Sequence, residues 1–502
     1  MQVNTLRLQA ALRRCWPGLT MPEFADATPL RLVLDSRRVV PGDIFIAVPG
    51  VAGDGRSHLA EALASGAAQV LYHLEPDETL PDAVRDQPVL GLPFLRQRLG
   101  ELGRLLFEVP EALTLIGVTG TNGKSSVTHY IAELSGALGR QAGLIGTLGV
   151  GRPGQLEDSG LTTPGPLTLQ AALGEMASGG IDRVAMEVSS HALEQGRLDG
   201  CRVTAAVFTN LSRDHLDYHG SMAAYAAAKA RLFRRSELAL AVVNADDPLA
   251  RLMLAGLPEG VRVLAVGDDT AATLRVIDWR PSRDGQLALV ATPQGERSLE
   301  LPLMGRFNLD NVLLAIATLH GLGESLDALF EEAPRLTPVP GRMQRVKRQG
   351  RPAVIVDYAH TPEALENALV ALREHLPGEG RLWCLFGCGG DRDSGKRPQM
   401  AAVAERHADR LVITDDNPRS EDPARIREQI LAGVSDEARP RTESIAGRSE
   451  AIARTLDQAG DDDVVLIAGK GHEPYQEIAG VRHAFSDLVE AEAALLRREE
   501  RQ

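Results

Sequence analysis

The run Leu115–Ser126, LIGVTGTNGKSS, decides how this chain is to be read. An apolar strand enters a turn punctuated by glycines, and Lys124 and Ser125 then open a helix. Gly120 and Gly123 let backbone N–H groups come close to oxygen atoms, and a helix N-terminus adds partial positive charge. Thr121, Asn122 and Ser126 complete a candidate phosphate loop. In it Lys124 reaches the β- and γ-phosphates of a nucleotide and the Ser125 hydroxyl faces Mg²⁺. The strict G-x-x-x-x-G-K-[ST] pattern is not met, because Val118 holds its first glycine position and the nearest glycines are Gly117 and Gly120. A plain βα turn is the bland alternative. Gly-Lys-Ser set between strand and helix is the rarer signal.

Length and composition frame the rest. At 502 residues the chain has room for about three domains of ~150 residues. Hydrophobic residues make up 44%, ordinary for a globular protein, so a buried core is expected. The net charge of −14, from 68 acidic against 54 basic residues, argues against a nucleic-acid partner, which needs a basic surface. Cys15, Cys201, Cys384 and Cys388 show no C-x-x-C spacing and no second cluster, so buried or loop thiols are expected rather than a zinc site or disulfides. The opening MQVNTLRLQAALRRC holds no long apolar run and reads as no signal peptide. No stretch nears the roughly 20 apolar residues that span a bilayer. A cytoplasmic protein without membrane insertion is expected, working as a monomer.

The order of elements predicts an α/β protein of three domains, 1–112, 113–340 and 341–502. The first is a smaller α/β domain with strands at Asp43–Val48 and Gln69–Tyr72 and a helical stretch at Ser57–Ser65. The second is a mainly parallel P-loop-type sheet flanked by helices. Its strands are read at the phosphate loop, Val184–Val188, Thr204–Thr209 and Leu238–Asn244. Pro334–Pro340, PRLTPVP, reads as a linker. The third is a Rossmann-like α/β domain with strands at Ala353–Asp357, Leu382–Phe386, Arg410–Thr414 and Val464–Ala468.

Ligands of an open parallel sheet collect at the carboxyl ends of its strands. Glu187 ends VAMEV, His215 follows the strand that ends at Thr209, and the phosphate loop follows its own strand. A carboxylate and an imidazole there suit a divalent cation on a nucleotide. The plainer readings are a turn cap for Glu187 and a surface histidine for His215. Asp214, Asp217 and His219 in the same segment read as solvated or supporting groups.

GVTGTNGKSS, MEVSSH, TNLSRDHLDYHG and YAAAKARLF resemble the ATP-dependent Mur ligases of bacterial peptidoglycan synthesis. The match runs on in order through GRFNLDN, GRMQRV, DYAHTPEAL, FGCGGDRDSGKRP, DDNPR and AGKGHE, so it covers essentially the whole chain. It implies a UDP-sugar-binding first domain, an ATP-binding second and an amino-acid-binding third. Lys229, which spacing alone reads as an exposed helical lysine, matches a lysine carbamylated to N6-carboxylysine. A carbamate there joins Ser125, Glu187 and His215 around Mg²⁺, and Lys124, Lys229, His215 and Glu187 are the implied catalytic group. Ser36 aligns with a nucleotide-sugar contact, and Val51-Ala52-Gly53 with a contact loop that here lacks polar side chains. Thr162, Thr163, Ser189, Gln195 and Arg197 align with positions that grip the UDP-muramoyl-dipeptide. Ser36 and Ser189 have the plain alternative of capping turns.

Within the family, Asp416-Asn417-Pro418-Arg419 matches members that add meso-2,6-diaminopimelate to the D-glutamate of UDP-N-acetylmuramoyl-L-alanyl-D-glutamate. The far end of that amino acid carries both an ammonium and a carboxylate. It therefore asks for a planar bidentate cation beside carbonyl or carboxylate acceptors. Arg392 and Arg419 supply cations, while Asp416, Asn417, Gly469 and Glu473 face the ammonium or fix the arginines, and Pro418 belongs to the same substrate-binding motif. Asn308, Arg342, Asp357 and His360 are implied to close over ATP from the third domain, with a domain motion that excludes water. The implied chemistry is an acyl phosphate attacked by the amine, with no side-chain nucleophile. Folylpolyglutamate synthetases share the phosphate loop but not the Asp-Ser-Arg opening at 35–37 or Asp-Asn-Pro-Arg, and dipeptide-adding Mur ligases lack the latter. A nucleotide switch that hydrolyses ATP without an amino acid leaves the arginine-rich third domain unexplained.

Overall fold

Short apolar runs form the strands, and the computed structural model describes residues 1–20, 28–51, 53–84, 86–346, 352–376 and 378–500. They fall into two units, Met1–Leu264 and Ala265–Gln502.

The first unit begins with a sheet of β1 (Gln2–Asn4), β2 (Pro29–Val33), β3 (Ile44–Ala47), β4 (Gln69–Leu74) and β5 (Val89–Pro93), paired in that order. Only β1 runs antiparallel to its neighbour. All of β3, Ile-Phe-Ile-Ala, is buried, as a strand covered on both faces requires. Leu8, Leu12, Leu99 and Leu102 from two helices cover one face, and Leu59 and Ala62 the other.

A second sheet of this unit holds β6 (Thr114–Thr119), β7 (Ala142–Gly146), β8 (Gly149–Arg152), β9 (Gln155–Glu157), β10 (Arg183–Glu187), β11 (Val203–Phe208) and β12 (Leu240–Asn244). Its order is β9-β8-β7-β10-β6-β11-β12, with β7, β10, β6, β11 and β12 mutually parallel. β6 therefore lies between β10 and β11, and the segments that follow all three leave the same edge. The expected phosphate loop and the Glu187 and His215 segments belong to that edge.

β13 (Arg262–Gly267) carries the chain into the second unit, where its end pairs in parallel with β14 (Leu274–Ser282). β14, β15 (Gly285–Thr292) and β16 (Gly295–Leu301) form an antiparallel meander that the parallel reading of 113–340 did not contain. The helix Arg306–Gly321 follows. Leu336 and Val339 are buried, so the stretch expected as a linker is a packed segment.

The last large sheet holds β17 (Gln344–Val346), β18 (Ala353–Asp357), β19 (Leu382–Phe386), β20 (Arg410–Ile413), β21 (Thr442–Ser444) and β22 (Val464–Ala468). Its order is β17-β18-β22-β19-β20-β21, parallel except for β17. β22, last of these in the chain, sits between β18 and β19, and both faces of the sheet carry apolar cores. A hairpin of β23 (Tyr475–Ile478) and β24 (Val481–Ala484) follows. The fold is α/β throughout, as expected. All four cysteines are free and buried, and burial pushes the Cys388 thiol up to about 12. Among the described residues no helix is long and apolar enough to cross a membrane.

Candidate functional site

In the first unit, Gly120 and Gly123 take positive φ angles of 153° and 84°. A Cβ on Gly120 would overlap Thr209 Oγ1 and come within 3.0 Å of Asn210 O, so only glycine lets the loop lie this close to the end of β11. Asn210 pins the loop: its carbonyl accepts the Thr121 N–H (2.8 Å) and its Oδ1 the Asn122 N–H (2.9 Å). Gly123 N-caps the helix Lys124–Ala137, whose first turn carries no acidic side chain. With Ser125 and Ser126 behind Lys124, that turn is suited to an anion.

Two ammonium groups meet on one carbonyl here. Lys124 Nζ donates to Gly120 O (3.0 Å) and Thr121 O (2.7 Å), and Lys229 Nζ donates to Gly120 O at 2.7 Å. Lys229 is 1% exposed, not the surface lysine that its Ala-Ala-Ala-Lys setting suggests. Burial first, then the Lys124 charge, hold its ammonium well below the usual lysine range.

Glu187, 2% exposed, closes β10. Its Oε1 accepts the Thr147 N–H at 3.0 Å, and the Thr147 hydroxyl lies 3.1 Å from that of Thr162. The Thr163 hydroxyl donates to Glu187 O (2.8 Å) and accepts the Ser189 N–H (3.1 Å), while Ser189 caps its helix through the Ala192 N–H. Arg197 donates to Thr163 O and Gln195 Oε1, both at 2.8 Å, and the Gln195 amide donates to Tyr218 Oη at 3.0 Å. Thr162, Thr163, Glu187, Ser189, Gln195 and Arg197 thus belong to one network.

His215 is exposed beside Asp214, and its ring meets that of His191 edge-on at 4.9 Å. Of the two readings of His219, solvated or supporting, the geometry agrees with the second: its side chain is enclosed, with Nδ1 3.1 Å from Glu194 and Nε2 2.9 Å from the Ser190 hydroxyl. Ser125, Glu187 and His215 offer a hydroxyl, a carboxylate and an imidazole. Among the described residues no three His, Cys, Asp or Glu side chains gather to hold a metal. Such a sparse donor set fits Mg²⁺, which keeps waters and phosphate oxygens in its shell. Ser36 is buried and donates to Glu61 Oε2 (2.9 Å). Of the loop beyond it, Ala52 lies outside the described residues.

In the second unit, buried Asp357 accepts the N–H groups of Met343 (2.7 Å) and Ala359 (2.8 Å), and burial raises its carboxyl pKa. It fixes the backbone beside Arg342, whose guanidinium lies 4.9 Å over the Tyr358 ring, and near His360, whose ring is 4.6 Å from that of Tyr358. Asn308 is buried and donates to Met304 O (2.8 Å) near the start of the helix Arg306–Gly321.

The segments after β19, β20 and β22 leave the same sheet edge and bring the remaining candidates together. A Cβ on Gly469 would stand 2.6 Å from Asp416 Oδ2, and one on Gly390 would overlap Pro418 O. The Asn417 amide donates to Glu473 Oε2 at 2.8 Å. Arg419, at φ 51°, has its N–H on Glu477 O (3.0 Å) and its Nη1 on Gly390 O (2.7 Å). Arg392 stays exposed on the β19 segment.

Family models match on both sides of this architecture: the Mur ligase middle domain over residues 118–319, and the Mur ligase, glutamate ligase domain over 341–471. A Pseudomonas putida protein named UDP-N-acetylmuramoyl-L-alanyl-D-glutamate–2,6-diaminopimelate ligase is 51% identical over 95% of this chain and 98% of its own. The chain belongs to the Mur ligase family. A Pseudomonas aeruginosa Mur ligase of the same name is 51% identical over 92% of this chain and 94% of its own. A solved structure of a ligase so named matches with a TM-score of 0.72 at 39% identity, over 97% of this chain and 99% of its own.

Sequence reasoning passed over several residues of this Mur ligase. Asn210 pins the phosphate loop, Thr147 holds Glu187, and Tyr358 gathers Arg342 and His360. Asn210 and Tyr358 lie inside the strings TNLSRDHLDYHG and DYAHTPEAL, which is the available signal, whereas Thr147 lies in none of the strings. Lys470 lies between the glycines Gly469 and Gly471 and outside the candidate residues the sequence suggests.

Proposed function

We propose that this Mur ligase joins meso-2,6-diaminopimelate to the D-glutamate of UDP-N-acetylmuramoyl-L-alanyl-D-glutamate, at the expense of ATP, in peptidoglycan precursor synthesis. The observation that carries this reading is identity of 51% over 95% of the chain to a ligase of that name. The protein acts as a monomer in the cytoplasm.

The γ-carboxylate of the D-glutamate attacks the γ-phosphorus of ATP, ADP leaves, and an acyl phosphate remains. The amine of diaminopimelate adds to the acyl carbon, loses a proton, and the tetrahedral intermediate expels phosphate. Catalysis of this kind rests on positioning and charge neutralisation. Lys124 meets the β- and γ-phosphates at the helix N-terminus formed with Gly123, Ser125 and Ser126. Bound Mg²⁺ would neutralise phosphate charge, held by Ser125, Glu187, His215 and a modified Lys229. The lowered basicity of Lys229 supports that modification, because only a neutral amine attacks CO₂. Its lone pair forms the N–C bond, one C–O π pair moves to oxygen, and a proton leaves, giving N6-carboxylysine.

Thr162, Thr163, Ser189, Gln195 and Arg197 hold the muramoyl-dipeptide, and Ser36 the nucleotide-sugar. Asn308, Arg342, Asp357 and His360 contact ATP. Arg419 and Arg392 take the distal carboxylate of diaminopimelate, while Asp416, Asn417, Gly469 and Glu473 take its ammonium and Pro418 shapes the turn. The test is phosphate release from ATP with the muramoyl-dipeptide, adding meso-diaminopimelate or L-lysine in parallel. Turnover with diaminopimelate alone is expected. Turnover with lysine overturns the specificity, and release needing no amino acid overturns the ligase.

A further inference from the structure

The ammonium of Lys470 is 0% exposed, yet neither the phosphate loop nor the ATP-facing group uses it. It donates to Asn417 Oδ1 (3.0 Å) and to Glu473 Oε2 (2.9 Å), and lies 5.6 Å from the centre of the Tyr475 ring. An ammonium only donates, so Asn417 must turn its oxygen toward Lys470. The Glu477 N–H donates to that same oxygen at 2.9 Å. The Asn417 NH₂ then faces the other way, onto Glu473 Oε2 at 2.8 Å.

Two consequences follow for Glu473. Its Oε2 is taken by two donors, while its Oε1 has no hydrogen-bond partner among the described residues. Its charge is also matched by a buried cation at salt-bridge distance, and the pair is a closed one on the protein side. The other cation of the cluster, Arg419, keeps Glu477 at 3.8 Å and remains partly exposed.

We propose that Lys470 is a specificity-determining, positioning residue for the amino-acid substrate. By neutralising Glu473, it makes the site unattractive to an amino acid whose far end is only an ammonium. Such a ligand meets a carboxylate already paired and leaves the Arg419 guanidinium with only the distant Glu477 carboxylate, at 3.8 Å. A ligand ending in an ammonium and a carboxylate satisfies both Glu473 Oε1 and Arg419. Selectivity then comes from a repulsive element as well as an attractive one. This rests on the function proposed above.

The test compares kcat/KM for meso-diaminopimelate and L-lysine in the wild type, Lys470→Met, Lys470→Arg and the double variant Lys470→Met/Glu473→Gln. In Lys470→Met the diaminopimelate-to-lysine ratio falls at least ~10-fold, through a lower KM for lysine, with KM for ATP unchanged. Lys470→Arg restores the ratio, and the double variant shows no gain with lysine because the liberated carboxylate is gone. If Lys470→Met does not fold, Lys470→Gln, which keeps a donor without the charge, carries the same expectation. A ratio unchanged while both activities fall together overturns the proposal, as does a lysine gain that persists in the double variant. A wild type inactive with diaminopimelate overturns the parent reading, and this one with it.

Discussion

Lys124 and Lys229 place their ammonium groups on the same acceptor, the carbonyl of Gly120, at 3.0 and 2.7 Å. Two cations held this close in a buried corner favour loss of a proton from the more enclosed one, Lys229. If Lys229 carries the proposed carbamate, Lys229→Met should lower kcat by ~10²-fold or more while ATP still binds, because it removes that anionic group and leaves the loop at 120–126 intact. Intact-mass measurement of the wild type at high bicarbonate should show one added CO₂ that Lys229→Met lacks. Full activity in Lys229→Met would refute the role.

Gly120 is the position where the phosphate loop has no slack. Gly120→Ala places a Cβ against Thr209 Oγ1 at a φ of 153°. The displaced loop should cost on the order of 10²-fold in kcat/KM for ATP, read from steady-state kinetics, with circular dichroism unchanged.

Arg419 presents a planar guanidinium from a clasped backbone, with Nη1 already on Gly390 O. Arg419→Lys keeps the charge and loses the fork, so KM for diaminopimelate should rise at least ~10-fold while KM for the muramoyl-dipeptide holds. Equal changes in both constants would count against a role in amino-acid recognition.

Arg448 and Asp487 form a fully buried pair, with contacts of 2.6 and 2.7 Å, and Arg448 also donates to Ala468 O at the end of β22. Arg448→Met strands the carboxylate and should destabilise the second unit by ~3–5 kcal/mol in chemical denaturation. Arg448→Met/Asp487→Leu should recover much of that loss.

Glu421 gives an acid-side prediction. Its hydrogen bonds from Arg397 hold its carboxyl at about 2 against an ordinary 4.5. A depressed folded-state pKa contributes stability above the unfolded value and loses it as pH falls through the folded one. The contribution is therefore present above pH 4.5 and fades toward pH 2. Glu421→Gln should flatten the stability-versus-pH curve within that window, and an unchanged curve would contradict the pairing.

Much of this was legible beforehand. Strands such as Ala353–Asp357, Leu382–Phe386 and Val464–Ala468 are buried on both faces, so continuous apolar runs marked their limits without tertiary information. The candidate string at 120–126 stands out because glycine and lysine there answer local chemistry, whereas 416–419 stands out through its resemblance to family members. The β14–β16 meander was missed, since its residues alternate exposure only once strands pair. Lys229 was illegible from spacing because its burial depends on Gly120, distant in the chain, and Lys470 because its partners Asn417 and Glu473 come from two different segments. Leu336 and Val339 were hidden behind prolines that signal a loose connection.

The position of β22 between β18 and β19 has a consequence for how the protein is made. Ribosomal synthesis delivers β18, β19 and β20 well before Val464–Ala468, so the inner edges of two apolar strands wait for a partner not yet translated. Gly469, Lys470 and Glu473 follow that same late strand. The segment that carries them takes its place only once β22 closes the sheet, so a nascent chain lacks the proposed amino-acid site until then.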